Sequence, residues 1–239
     1  TIYRVYLCVV IVLLLLRNDG NIQSPKGKEK PKATEDIMNT KTARQIEEMK
    51  KQTIGVEIEM NSISRSKAAK LASQFFGTGR YKNTADRNGY CTYSAWDEQG
   101  REWKFQKDVS IAGIDSEKCE MVTPILNYSD IETLQELVRI LRKAGAKSDS
   151  TRGCGVHIHI GAKGHTAKTL RNLANIMASH EQLLIDALNL DEVRIRRYCK
   201  TVDPRFLEQV NRTKPETMSQ LANVWYKSHD ENYGRSHHY

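Results

Sequence analysis

Two short segments of this chain have the residue types and spacing of a ligand-binding strand face. In Gly55-Val56-Glu57-Ile58-Glu59-Met60, three apolar residues alternate with Glu57 and Glu59. In Gly155-Val156-His157-Ile158-His159-Ile160, the alternating partners are His157 and His159. Period-2 alternation is the signature of a strand, whose successive side chains point to opposite faces. A strand rises about 3.3 Å per residue, so residues two apart project from one face about 6.5 Å from each other. Two carboxylates at that spacing can hold two neighbouring divalent ions, or grip one ion from two sides where the strand twists. An imidazole on another strand supplies a neutral nitrogen ligand. Each pair has a plain alternative: Glu-x-Glu on a half-exposed strand is ordinarily a solvated face. Paired same-face histidines are the stronger signal.

A third segment, Glu102 to Ile111, puts Trp103, Phe105, Val109 and Ile111 on one side, interrupted by Lys107. Glu102, Lys104, Gln106, Asp108 and Ser110 occupy the other. If the apolar sides of all three strands meet the same helices, their polar sides form one wall. That wall carries Glu57, Glu59, Lys104, Gln106, Asp108, His157 and His159, a mixture suited to polyphosphate bound through a divalent metal. Glu120, in Glu120-Met121-Val122-Thr123-Pro124, is either a further carboxylate of the wall or an edge-strand surface charge. Gly153-Cys154-Gly155 is not a P-loop, because no Gly-Lys-Ser/Thr follows. Cys154 beside His157 reads as a packing residue rather than a nucleophile. His229, His237 and His238 lie in a polar tail with no identifiable partners.

The elements that must position these groups follow from pattern. A short polar helix is expected over 42–51 and a strand over 53–60. Ser64 is placed to cap a helix running to Phe76, with Ala68, Leu71, Ala72 and Phe75 on its buried face. Asp97-Glu98-Gln99-Gly100 reads as a hairpin turn between strands at 90–96 and 102–110. A short strand at 118–123 stops at Pro124. Ser129 and Glu132 form a capping-box pattern opening a helix with Ile131, Leu134, Leu137, Val138 and Leu141 on one stripe, closed by Gly145. After the strand at 155–160, a long helix is expected over 166–188, with Leu170, Leu173, Met177 and Leu184 inward. Short helices at 203–210 and 215–225 follow, with Trp225-Tyr226 closing a core. The mixture predicts an α+β fold, a mostly antiparallel sheet with helices packed on one face.

Composition sets the class. The 239 residues are 39% hydrophobic and 28% charged, which is globular rather than disordered and enough for one large domain. The net charge of +8 suits phosphates, nucleotides or nucleic acid without choosing among them. Five cysteines with no CxxC spacing argue against a zinc ribbon or a disulfide framework, and fit a reducing compartment. Val5 to Leu16 is apolar throughout, like a signal-peptide core. It is short for a membrane span, which needs about 20 residues. The stretch from Asn18 to Asp36 is polar and basic, as in a linker, and Met38 precedes the first convincing helix. The expectation is that residues 1–37 lie outside the fold and that the domain occupies 38–239. The location expected is cytoplasmic, or membrane-anchored if residues 5–16 are a genuine anchor.

From about Met38 onward the chain resembles the amidoligase family, carboxylate-amine ligases with a glutamine-synthetase-like fold. The resemblance is carried by Thr53 to Met60 (TIGVEIEM), Trp103 to Ile111 (WKFQKDVSI), Cys119 to Leu126 (CEMVTPIL), Gly153 to Gly161 (GCGVHIHIG) and Thr169 to Ser179 (TLRNLANIMAS). It implies an enzyme that uses ATP and magnesium to join a carboxylate to an amine through an acyl phosphate. It implies magnesium ligands at Glu57, Glu59, Glu120 and His157, with His159 approaching the nucleotide phosphates. Lys104, Asp108 and Ser110, on the matching strand, are expected to contact phosphate or substrate, Lys104 and Asp108 in catalytic roles. The implied partners are a nucleotide and the two substrates, with no nucleic acid. Family members continue into a strand bearing Glu-x-Arg, which this sequence lacks, so the catalytic core is expected to be C-terminally incomplete. Two other readings stay open: a metal-dependent hydrolase holding zinc, and an inactive binding protein of the same fold.

Overall fold

The structure is a computed structural model that describes residues 32–85, 89–190, 192–197 and 199–226. The apolar run at 5–16 and the tail histidines lie outside them. Among the described residues, no helix is long and apolar enough to cross a membrane. The chain divides after Gly161 into two compact units.

The first unit is built on one antiparallel sheet. Helix α1 (Lys32–Lys50) precedes β1 (Ile54–Met60), α2 (Arg65–Phe75), β2 (Tyr81–Asn83), β3 (Tyr93–Trp96), β4 (Glu102–Gln106), β5 (Cys119–Val122), α3 (Ile131–Lys143) and β6 (Val156–Ile160). The strand order is β2-β3-β4-β5-β1-β6, with every neighbouring pair antiparallel. The architecture is the expected α+β.

One face of the sheet is the core. Val56, Met60, Ala95, Trp103, Phe105, Cys119 and Met121 are buried there, with Ile58 and Val156 packed against them. Helix α2 meets this face through a stripe of small residues, Ala68, Ala69 and Ala72, all fully buried. Helix α3 adds Leu134, Leu137 and Leu141. Burying Trp103 or Phe105 contributes about 2–3 kcal/mol each, so this face holds the sheet's orientation firmly.

Local chemistry sets the ends of the elements. The Ser64 side chain caps α2 by accepting from the Lys67 amide at 3.2 Å, and Gly77 leaves the helix at φ +70°. The 97–100 turn closes with Gly100 at φ +75°, its amide donating to the Asp97 carbonyl at 3.0 Å. Arg101 then ties the hairpin to the start of α3. Its guanidinium donates to both oxygens of Asp130, at 2.9 and 3.0 Å, and its Nε donates to Asp97 at 2.8 Å.

Several expectations needed correction. The first helix begins at Lys32 rather than Thr42. The capping box at α3 is formed by Asn127 and Asp130, not Ser129 and Glu132, because a 3-10 turn at Tyr128–Asp130 precedes the α-helix. Strand β4 ends at Gln106 instead of running on to Ser110. There the Asp108 side chain accepts from the Ser110 amide at 2.6 Å, a local turn that competes with the extended ladder. Val109 is therefore 73% exposed while Ile111 is fully buried, although both were assigned to one face. The short exposed strand β2 carries no apolar alternation and was not anticipated.

The second unit is helical: α4 (Ala167–Leu188), α5 (Glu192–Arg197), α6 (Pro204–Thr213) and α7 (Met218–Tyr226). Its core gathers Ala167, Ala174, Phe206, Val210, Leu221 and Val224, with Leu170 and Trp225 packed against it. Trp225 meets Phe206 edge-on at 4.7 Å, as core closure requires. On α4 the fully packed positions are Ala167 and Ala174. Leu173, Met177 and Leu184 are only half-buried, because α4 turns its small residues toward α6 and α7. Helix α5 was not anticipated.

Candidate functional site

Residues directly opposed across antiparallel strands project from the same face. Across β1 and β6, Glu57 faces His157 and Gly55 faces His159. Across β1 and β5, Glu59 faces Glu120 and Glu57 faces Val122. Across β5 and β4, Glu120 faces Gln106 and Val122 faces Lys104. Register alone thus gathers Glu57, Glu59, Lys104, Gln106, Glu120, His157 and His159 on the sheet face opposite the core. Glu120 is not an edge charge, since β5 lies between β4 and β1 and Glu120 is 6% exposed.

At the centre of that face three carboxylates converge. Oxygens of Glu59, Asp108 and Glu120 lie within 4.8 Å of one another. They come from β1, from the segment after β4, and from β5. Glu59 is as buried as Glu120, at 6%. One of its oxygens accepts from the Gly155 amide at 2.6 Å, and the other lies 3.6 Å from His157 Nε2. Glu120 accepts from the Gln106 side-chain amide at 2.8 Å. Asp108 reaches the group because its own turn folds the chain back.

Like charges crowd together at this point of the face. Burial pushes the Glu120 carboxyl up to about 7, against the Gln106 hydrogen bond, and the charges of Glu57, Asp108 and Glu59 push it the same way. Three clustered carboxylate oxygens suit a hard divalent ion such as magnesium better than zinc, which prefers nitrogen and sulfur. The donor set therefore fits magnesium.

The remaining predicted residues surround this cluster at different distances. Glu57 and His159 approach each other, Oε1 to Nε2 3.1 Å, both partly exposed. His157 thus makes its short contact with the diagonal Glu59 rather than with Glu57 directly across, and His159, which has Gly55 across from it, reaches diagonally to Glu57. Lys104 is on the same face but half-exposed, with Nζ 3.9 Å from Glu102. Ser110 is exposed, and its contact with the group is through its backbone amide to Asp108. Cys154 is buried, with the Asn61 amide 3.8 Å from its sulfur, which is the surrounding of a packing residue. The grip of the Gly155 amide on Glu59 was not foreseen. The glycines flanking Cys154 were its only trace in the sequence.

Residues 50–239 match the model of a family whose description reads "Putative amidoligase enzyme". No curated protein and no solved structure matches the chain. The matched span takes in the whole six-stranded sheet and each carboxylate and imidazole on its polar face, and on that basis the chain belongs to the amidoligase family.

Proposed function

We propose that this chain is an ATP- and magnesium-dependent ligase that joins a carboxylate to an amine through an acyl phosphate. A glutamine-synthetase-like catalytic core goes with that reading. The observation that carries it is the convergence of Glu59, Asp108 and Glu120 from three separate segments beside two histidines. Membership of the amidoligase family supplies the reaction class.

Glu59, Asp108 and Glu120 would hold the ion, with His157 and Glu57 as flanking donors. The chemistry magnesium would supply there is neutralisation of the charge that builds up during phosphoryl transfer. Buried carboxylates with fixed amide partners need little reorganisation to do this: Gly155 orients Glu59 and Gln106 orients Glu120. His159 and Lys104 stand on the same face to meet phosphate oxygens, and Ser110 fixes the turn of Asp108. The substrates are read as a nucleotide, a carboxylate and an amine, and nucleic acid has no place in this reaction. The five cysteines stand at no CxxC spacing, which goes with a reducing, cytoplasmic location.

The test is phosphate release from ATP with magnesium, screened against pools of carboxylates and amines. Release should require both substrate classes, and Glu59→Gln should lower it by about 100-fold or more. Zinc retention with no effect of nucleotide would favour a hydrolase instead.

A further inference from the structure

Asp108 is the one carboxylate of the cluster that no strand positions. It sits in the segment 107–118, which leaves β4 after Gln106 and returns at Cys119, so something else must hold it against Glu59 and Glu120. Two anchors do so. The first is Arg65, the opening residue of α2. Its guanidinium donates to the carbonyls of Asp115 and Lys118, at 2.9 and 2.6 Å, and to that of Cys91 at 3.2 Å. An arginine spent on three backbone carbonyls is a clamp, since its planar fork fixes the acceptors relative to one another. The Lys107–Asp115 ion pair at 2.6 Å closes the same segment from within.

The second anchor is Gly153. The Ala112 amide donates to the Arg152 carbonyl at 2.8 Å, pressing the segment onto the turn that leads into β6. A Cβ at Gly153 would lie 2.7 Å from the Ser110 carbonyl oxygen, and Gly153 holds φ +82°. Only glycine permits that approach. Ser110 is the residue whose amide binds the Asp108 carboxylate, so the close approach at Gly153 fixes Asp108 through one intervening turn. Buried Ile111 completes the seat.

We infer that Arg65 and Gly153 are positioning residues that hold Asp108 within the carboxylate cluster. Neither touches the cluster: both act through the segment 107–118. The inference rests on the cation-site reading above.

The experiment is a Mn²⁺ titration of metal-free protein by electron paramagnetic resonance, on wild type, Arg65→Gln, Asp108→Asn and the double variant. Circular dichroism melts of the same samples check that each is folded. Arg65→Gln should weaken Mn²⁺ binding about tenfold, as loss of an outer-shell support does. The same substitution should have no further effect once Asp108 is Asn, because its influence runs through that carboxylate. Gly153→Ala should repeat the pattern as an independent arm. Binding lost in Asp108→Asn but unchanged in Arg65→Gln overturns the inference alone, as does an equal loss in both backgrounds. No Mn²⁺ binding by wild type overturns the cation-site reading and this inference together.

Discussion

Glu120 illustrates how little separates a structural liability from a functional group. It is buried, bears one supporting hydrogen bond and lies among other carboxylates, a placement that costs stability unless a cation or a proton offsets it. Replacing it with glutamine removes the like charge and keeps the shape. Glu120→Gln should therefore leave the metal-free protein at least as stable as wild type while abolishing its response to divalent cation. Thermal melts with and without magnesium read both effects, and a variant that still gains stability from magnesium would count against Glu120 as a ligand. A purely structural Glu120 would show the reverse, a loss in the metal-free state.

At the scale of elements, the hairpin 93–106 and helix α3 are joined through Arg101, Asp97 and Asp130. Asp97 is pushed up by burial, but hydrogen bonds from Trp103 and from the Arg101 backbone and guanidinium outweigh this and hold it below its ordinary 3.8. Asp130 is held below 3.8 chiefly by its hydrogen bonds from Arg101. A depressed folded value means the unfolded chain binds more protons, so this stability is present above about 3.8 and lost as pH falls through the lower folded values. Urea melts between pH 7 and 3 should show the midpoint fall below about pH 4, and Arg101→Met should flatten that decline. The same substitution should cost about 3 kcal/mol at pH 7, because it strands two buried carboxylates. This network was not legible in the sequence. The Asp-Glu-Gln-Gly turn was, since alternation and turn chemistry are local, whereas the Arg101–Asp130 pair depends on where α3 docks. Strand β4 failed for a related reason: the alternation 102–111 persists in the letters, but one Asx turn at Asp108 overrides it.

For the whole molecule, most of the site was readable because it is a consequence of register. Once Glu57 and Glu59 alternate with apolar residues on a central strand, burial of Val56 and Met60 decides which way the glutamates face. What the letters could not supply was which strands are neighbours, and hence that Glu59 meets Glu120 while Glu57 meets His159. The proposed ligands span Glu57 to His157, so on that reading the site exists only when β1, β5, β6 and the segment after β4 are assembled, and a bound ion should stabilise that assembly as one unit. At ten times its dissociation constant the ion contributes about 1.4 kcal/mol. Hydrogen exchange with and without magnesium should localise it. Protection should rise in β1, in β5, in 107–118 and around 153–157, with no change in residues 162–226, which supply none of the proposed ligands. Slowed exchange confined to α4, α6 and α7 would show the cation bound elsewhere, and the carboxylate cluster would then have no claim to it.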